Sequence, residues 1–311
     1  MKAQHPLVHI GMPKCASTWL QRHFFTRAHG FRRIYGPLEA NLAFCAPPPF
    51  DRQQPPGLSP PVPPGMTPLI TGESLAGSPL TGGANSDLVL QRLARWVPDA
   101  RILIVIREQR SMLRSLYQLL VNWGNPRVIE ELLTTERRSP PGFNLEFLEY
   151  HRIVGAYQAA FGTGNVLVLP YEKLTQQPHE FLSTITDFCR IDSSEFPLPD
   201  TYAVRENPGR SLASLFIKRL HNRFLARTAL NPNGIYRPSQ IQSAANFDIA
   251  VPQPVNQWLE RQFSQRVERK IGHHYASSNA TTEALTGLEL GCLDYCLPSA
   301  QSPLDMSTTL G

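Results

Sequence analysis

A chain of 311 residues, 41% of them hydrophobic, can bury a sizeable core as one large α/β domain or two small ones. Its net charge of +5 is modest and comes without a lysine- or arginine-rich run, which argues against a nucleic-acid-binding protein and suits a polyanionic small ligand. No apolar run is long enough to span a bilayer and no charged-then-apolar leader is seen, so a cytoplasmic protein without an integral membrane segment is expected.

The first element is the apolar run Leu7-Val8-His9-Ile10, which predicts a short buried strand. Gly11-Met12-Pro13-Lys14-Cys15-Ala16-Ser17-Thr18 follows, and then a helical pattern with Leu20 and Phe24, and Trp19 and His23, one turn apart. A strand, a turn of small residues and a helix start make a phosphate cradle. Free backbone N–H groups and the positive end of the helix dipole attract an anion there. The usual nucleotide-triphosphate loop, G-x-x-x-x-G-K-[ST], requires lysine where this chain has Ser17; here the lysine lies inside the turn, at Lys14. A phosphatase loop with Cys15 as nucleophile needs an arginine six positions on, and that residue is Gln21. The plain alternative is an ordinary strand-turn-helix with a solvated lysine.

Residues 30–50 give no clear pattern. Residues 47–68 hold ten prolines, which excludes helix and central strand and predicts an extended loop insertion. Such a loop serves as a lid, an acceptor-site wall or a docking segment, or is a simple insertion. Leu69 to Thr71 then reads as a second strand, with Glu73 just past its carboxyl end, where ligands bind in open α/β sheets; the alternative is a turn cap. Ser86 or Asp87 opens a helix with Leu88, Leu90, Leu93 and Trp96 on one face, ended by Pro98. Arg101 to Arg107 is the clearest strand, five aliphatic residues in a row, with Arg107 at its carboxyl tip. A helix from Ser111 to a Gly124 cap carries Ser115, eight positions after Arg107. Further helices are predicted over 142–162, 178–189, 212–224 and 255–271, with a strand at 165–170.

Residues 276–311 are rich in Ser, Thr, Ala and Leu without periodicity and are expected as a polar, partly disordered tail behind a domain of residues 1–275. The cysteines Cys15, Cys45, Cys189, Cys292 and Cys296 are scattered and lack zinc spacing, so free thiols and no metal site are expected. The fold class that follows is α/β: one domain with a central parallel sheet flanked by helices.

The Pro-Lys-x-x-[ST]-Thr-Trp-Leu pattern at residues 13–20 closely resembles the 5′-phosphosulfate loop of sulfotransferases that use 3′-phosphoadenosine-5′-phosphosulfate (PAPS). The spacing Arg107-x7-Ser115, with Tyr117 beyond, resembles the 3′-phosphate motif of that family. Segments at 73–77 and 171–174 are similar to others in it, the second chiefly structural. The resemblance covers roughly residues 7 to 190. It implies a sulfuryl transfer from PAPS to a hydroxyl or amine, with 3′,5′-ADP as product and no metal. It implies that Glu73 is the general base and that Lys14 steadies the leaving oxygen. Lys14, Cys15, Ala16, Ser17 and Thr18 would surround the 5′-phosphate, and Arg107 and Ser115 the 3′-phosphate. Trp19 would pack on the adenine or in the core. Arg205 and Arg210 lie on a late basic loop that closes over the nucleotide in this reading, or is solvated. The partner is a small-molecule, glycan or lipid acceptor, and the oligomeric state is not legible. The rival readings are a nucleotide or metabolite kinase and a non-catalytic anion-binding protein.

Overall fold

The computed structural model describes residues 5–45, 61–133, 143–199, 211–227, 231–235 and 251–298. Five strands form one sheet: β1 (Leu7–Ile10), β2 (Phe31–Tyr35), β3 (Thr67–Gly72), β4 (Arg101–Ile106) and β5 (Val166–Pro170). Their order is β2-β3-β1-β4-β5, and every neighbouring pair is parallel. Parallel strands need crossovers, which cover both faces of the sheet. β1 and β4 are accordingly buried along their whole length, β4 through Ile102–Ile106 and β1 through Leu7, Val8 and Ile10 with a buried His9.

The crossovers set the site. From β1 the chain turns toward β2, whereas from β4 it turns toward β5. Because β1 and β4 are neighbours, the loops after them part and leave a crevice at their carboxyl ends. Lys14 lies on one loop and Arg107 on the other.

Helix α1 is α-helical over Ser17–Trp19 and continues to Phe24 as a wider π turn. Its inner face joins Phe24, Phe25 and Phe31 in an aromatic cluster with His9, rings 5.1 to 5.3 Å apart. The remaining long helices are α2 (Ser86–Trp96), α3 (Gln109–Asn122), α4 (Tyr150–Phe161), α5 (Tyr171–Gln176), α6 (Pro178–Cys189), α7 (Leu212–Phe224) and α8 (Gln253–Ile271). α2, α3, α6, α7 and α8 fall within a few residues of the sequence expectation, α4 begins eight residues later than the expected 142–162, and α5 was not expected as a helix. No helix among the described residues is long and apolar enough to cross a membrane.

Three expectations change. β2 went unread because Arg32 and Arg33 interrupt it; as an edge strand it buries only Phe31 and Tyr35 fully. The strand expected at Leu69 is therefore the third, and it begins at Thr67, so Pro68 is inside a central strand. Parallel pairing tolerates this proline near the strand start, where it lies opposite Arg32 of the edge strand. Residues 61–66 lead into the strand without regular structure, and residues 47–60 of the proline-rich stretch lie outside the described residues.

The third change concerns the expected tail. Ala276–Thr286 is a helix, α9, packed against α4, and residues 290–293 form a 3-10 turn. Its buried face is polar: Ser278, Asn279 and Thr282. Hydrogen bonds satisfy these side chains. Asn279 exchanges amide bonds with Gln109 of α3, at 2.6 and 3.2 Å, and Ser278 meets His151 of α4 at 2.8 Å. A helix buried through amides and hydroxyls leaves no apolar period to read. Residues 299–311 are outside the described set.

Candidate active site

The loop between β1 and α1 is shaped by close approach. Gly11 N–H donates to the Gly72 carbonyl at 3.1 Å. A Cβ on Gly11 would meet that carbonyl oxygen at 2.8 Å and Ser17 Oγ at 2.9 Å, so only glycine fits. Lys14 (φ 65°) and Ala16 (φ 59°) both adopt the left-handed region that non-glycine residues avoid. Alternating hands of this kind turn successive N–H groups toward one concavity, an anion-binding nest. Strain of this kind persists where the surroundings over-determine it.

Ser17 is 3% exposed and its hydroxyl has no hydrogen-bond partner. A buried orphan hydroxyl costs about 1–3 kcal/mol, so its presence at the cradle fits an anion-binding donor. Thr18 does something else: its hydroxyl donates to Glu73 Oε1 at 3.1 Å. That contact ties the loop to the exposed carboxylate beyond β3. Lys14 is partly buried, and burial followed by Arg107 lowers its pKa, while Glu73 and Cys15 pull it back up. Cys15 is fully buried, and burial pushes its thiol far above the ordinary range. It serves packing, consistent with the absence of a phosphatase arginine. Trp19 is 6% exposed, within the core and beside His23. Its ring takes the packing position rather than one open to a ligand.

Arg107 ends β4 against the loop. Its Nη1 donates to the Lys14 carbonyl at 3.0 Å and its Nε to Ser111 Oγ at 2.8 Å, with the guanidinium 4.6 Å from the centre of the Tyr171 ring. The two anion-binding regions expected from sequence therefore share one edge of the sheet and touch. The serine in contact is Ser111; Ser115 is one turn further along the same face of α3 and half-buried. Ser111 was missed because the motif spacing pointed to the later residue. Its signal was the i+4 interval from the strand-tip arginine.

Two further groups were not foreseen. Glu108 caps α3, its carboxylate accepting from Arg110 N–H at 2.9 Å and Ser111 N–H at 2.8 Å. Glu172 accepts from Glu108 N–H at 3.0 Å. Thus Tyr171 and Glu172 support Arg107 from α5, in keeping with the structural role expected of that segment. Arg205 and Arg210 lie outside the described residues. Among the described residues no group of histidine, cysteine or carboxylate side chains could hold a metal ion.

Residues 88–195 match the model of a family described as the sulfotransferase family. No curated protein sequence matches the chain. Among solved structures it is similar to a sulfotransferase from Alicyclobacillus acidocaldarius, at 19% identity and a TM-score of 0.48, over 71% of this chain and 95% of that one. It is also similar to the sulfotransferase domain from the curacin biosynthetic pathway, at 13% identity and TM-score 0.39, over 85% and 99% of the two chains. A third likeness is to mouse sulfotransferase SULT7A1 complexed with PAP, at 14% identity and TM-score 0.37, over 91% and 90%. These likenesses are distant, and the topology described above stands on the strand registers alone.

Proposed function

We propose, for a chain whose residues 88–195 match the model of the sulfotransferase family, that the Gly11–Thr18 loop and the Arg107 tip hold PAPS while its sulfuryl group passes to an acceptor hydroxyl or amine. The acceptor is a carbohydrate, lipid or small molecule, and 3′,5′-ADP is released. The observation that carries this reading is the unpartnered Ser17 hydroxyl, buried beside Lys14 in a loop with two left-handed residues.

In this reading the N–H groups of residues 15–18 and Ser17 Oγ hold the 5′-phosphate, and Arg107 with Ser111 and Ser115 holds the 3′-phosphate. Glu73 has one oxygen taken by Thr18, so the other is directed to the acceptor's proton. As the acceptor oxygen bonds to sulfur, the bond from sulfur to the bridging oxygen breaks. Lys14 steadies the negative charge that gathers on that oxygen, as in phosphoryl transfer. Lys14 and Arg107 supply the charge neutralisation, so the reading needs no metal. Arg205 and Arg210 remain candidates for a loop closing over the nucleotide.

The test is transfer of radiolabelled sulfate from PAPS to a panel of sugars, lipids and phenols. Label should move to one acceptor class, and both Lys14→Ala and Glu73→Gln should suppress it. Transfer that survives both substitutions would remove these residues from the chemistry. A wild-type chain that neither transfers label nor binds 3′,5′-ADP would remove the reading.

A further inference from the structure

The peptide unit joining Arg107 to Glu108 is gripped at both of its polar ends. Its carbonyl accepts a bond from Tyr150 Oη at 2.6 Å, and its N–H donates to Glu172 Oε1 at 3.0 Å. The second oxygen of Glu172 accepts from Tyr295 Oη at 3.1 Å. Both tyrosines are buried, at 0% and 3% exposure. Tyr295 arrives from the stretch after α9, the segment whose composition had suggested a loose tail. α9 itself is fastened to the first turn of α3 by the Gln109–Asn279 amide pair. Asn279 Nδ2 also donates to the carbonyl of Cys296, next to Tyr295, at 2.9 Å.

The direction of a side chain is set where its backbone is set. Arg107 must reach the Lys14 carbonyl and Ser111 from one backbone position while its plane lies on Tyr171. A bidentate anion contact tolerates little error in that plane. Glu172 reaches the peptide from α5 and holds it only while its own carboxylate is held, and the Tyr295 hydroxyl is the side-chain donor on its far oxygen.

We infer that Tyr295 is a positioning residue for the anion site: through Glu172 it fixes the Arg107–Glu108 peptide, and so the aim of the guanidinium at the 3′-phosphate. The inference rests on the PAPS reading above and assigns the C-terminal segment a role in cosubstrate selection.

Tyr295→Phe keeps the ring and removes only the hydroxyl. Affinities of the full chain for 3′,5′-ADP and for AMP, which lacks the 3′-phosphate, are measured by calorimetry beside thermal unfolding. Affinity for 3′,5′-ADP should fall about three- to tenfold, the size of one ordinary net hydrogen bond, while AMP changes by less than about twofold. Glu172→Gln, which reaches the same peptide from another element, should lower the same ratio, and adding Tyr295→Phe to it should lower the ratio little further. That second variant also keeps the question answerable if Tyr295→Phe fails to fold. Equal losses for the two nucleotides, or an unchanged ratio in both variants, would overturn the inference and leave the PAPS reading standing. A wild-type chain that binds AMP as well as 3′,5′-ADP would overturn both.

Discussion

Replacing Gly11 by alanine tests how the cradle is assembled. The new Cβ would lie 2.8 Å from Gly72 O, 2.9 Å from Ser17 Oγ and 3.0 Å from Glu73 Cα. Two of these neighbours are backbone atoms of the β3 tip and cannot rotate away. The loop and the tip must separate by several tenths of an ångström, stretching the Gly11–Gly72 hydrogen bond of 3.1 Å. Overpacking of this kind costs about 1–3 kcal/mol. At about 2–4 °C per kcal/mol for a large domain, Tm should fall by about 2–12 °C. Activity should suffer more, because Ser17 and Glu73 move together. A misplacement of about 1 Å can cost about 10²-fold in rate, so a shift of several tenths should cost about tenfold in kcat. The assay pairs differential scanning calorimetry with sulfate transfer. Gly155→Ala on α4 is the control, since its Cβ meets only Leu285 Cδ1 at 3.9 Å, and it should leave both readouts near wild type. Wild-type Tm and kcat in Gly11→Ala would refute the argument.

Other outcomes follow from the same geometry. Lys14→Ala should lower kcat about 10²–10³-fold in steady-state transfer assays, as when one transition-state donor is lost. Affinity for 3′,5′-ADP should fall as pH rises through the depressed pKa of Lys14, below the ordinary lysine value, because the ammonium is the binding form. In Glu73→Gln that loss should begin at lower pH, since the carboxylate raises this pKa; calorimetry across a pH series checks both. His9 is buried neutral, its pKa lowered to about 3 by desolvation. The unfolded chain takes up that proton from the ordinary value of 6.5 downward, so stability should drop toward about pH 3, at up to about 1.4 kcal/mol per pH unit. Urea midpoints in His9→Leu should show a correspondingly flatter acid limb. Asn279→Ala should lower Tm by several degrees through the orphaned Gln109 Oε1, about 1–3 kcal/mol.

The parts of this fold legible in the sequence are those where one physical requirement dominates. β1 and β4 read directly because a strand covered on both faces is mostly aliphatic, even with His9 in β1. Arg107 stood out as a charge at the tip of β4, and Lys14 as the lysine inside the turn between β1 and α1. β2 was hidden by Arg32 and Arg33, which an edge strand can turn outward. Pro68 argued against a strand that parallel pairing nonetheless accommodates. α9 was hidden because its buried face is built from Ser278, Asn279 and Thr282, whose partners lie far away in sequence. Glu172 belongs to the same class, since its contact with Glu108 joins segments 64 residues apart, whereas Ser111 had a local signal in its i+4 interval from Arg107.

The account depends on the Lys14 loop and the Arg107 tip acting as one site for an adenosine bearing phosphate at both the 5′ and 3′ positions. Thermal unfolding of the wild-type chain with equal concentrations of 3′,5′-ADP and AMP tests this most directly. The larger rise in Tm should come from 3′,5′-ADP, and Arg107→Ala should abolish the difference. Equal rises from the two nucleotides in the wild-type chain would contradict it.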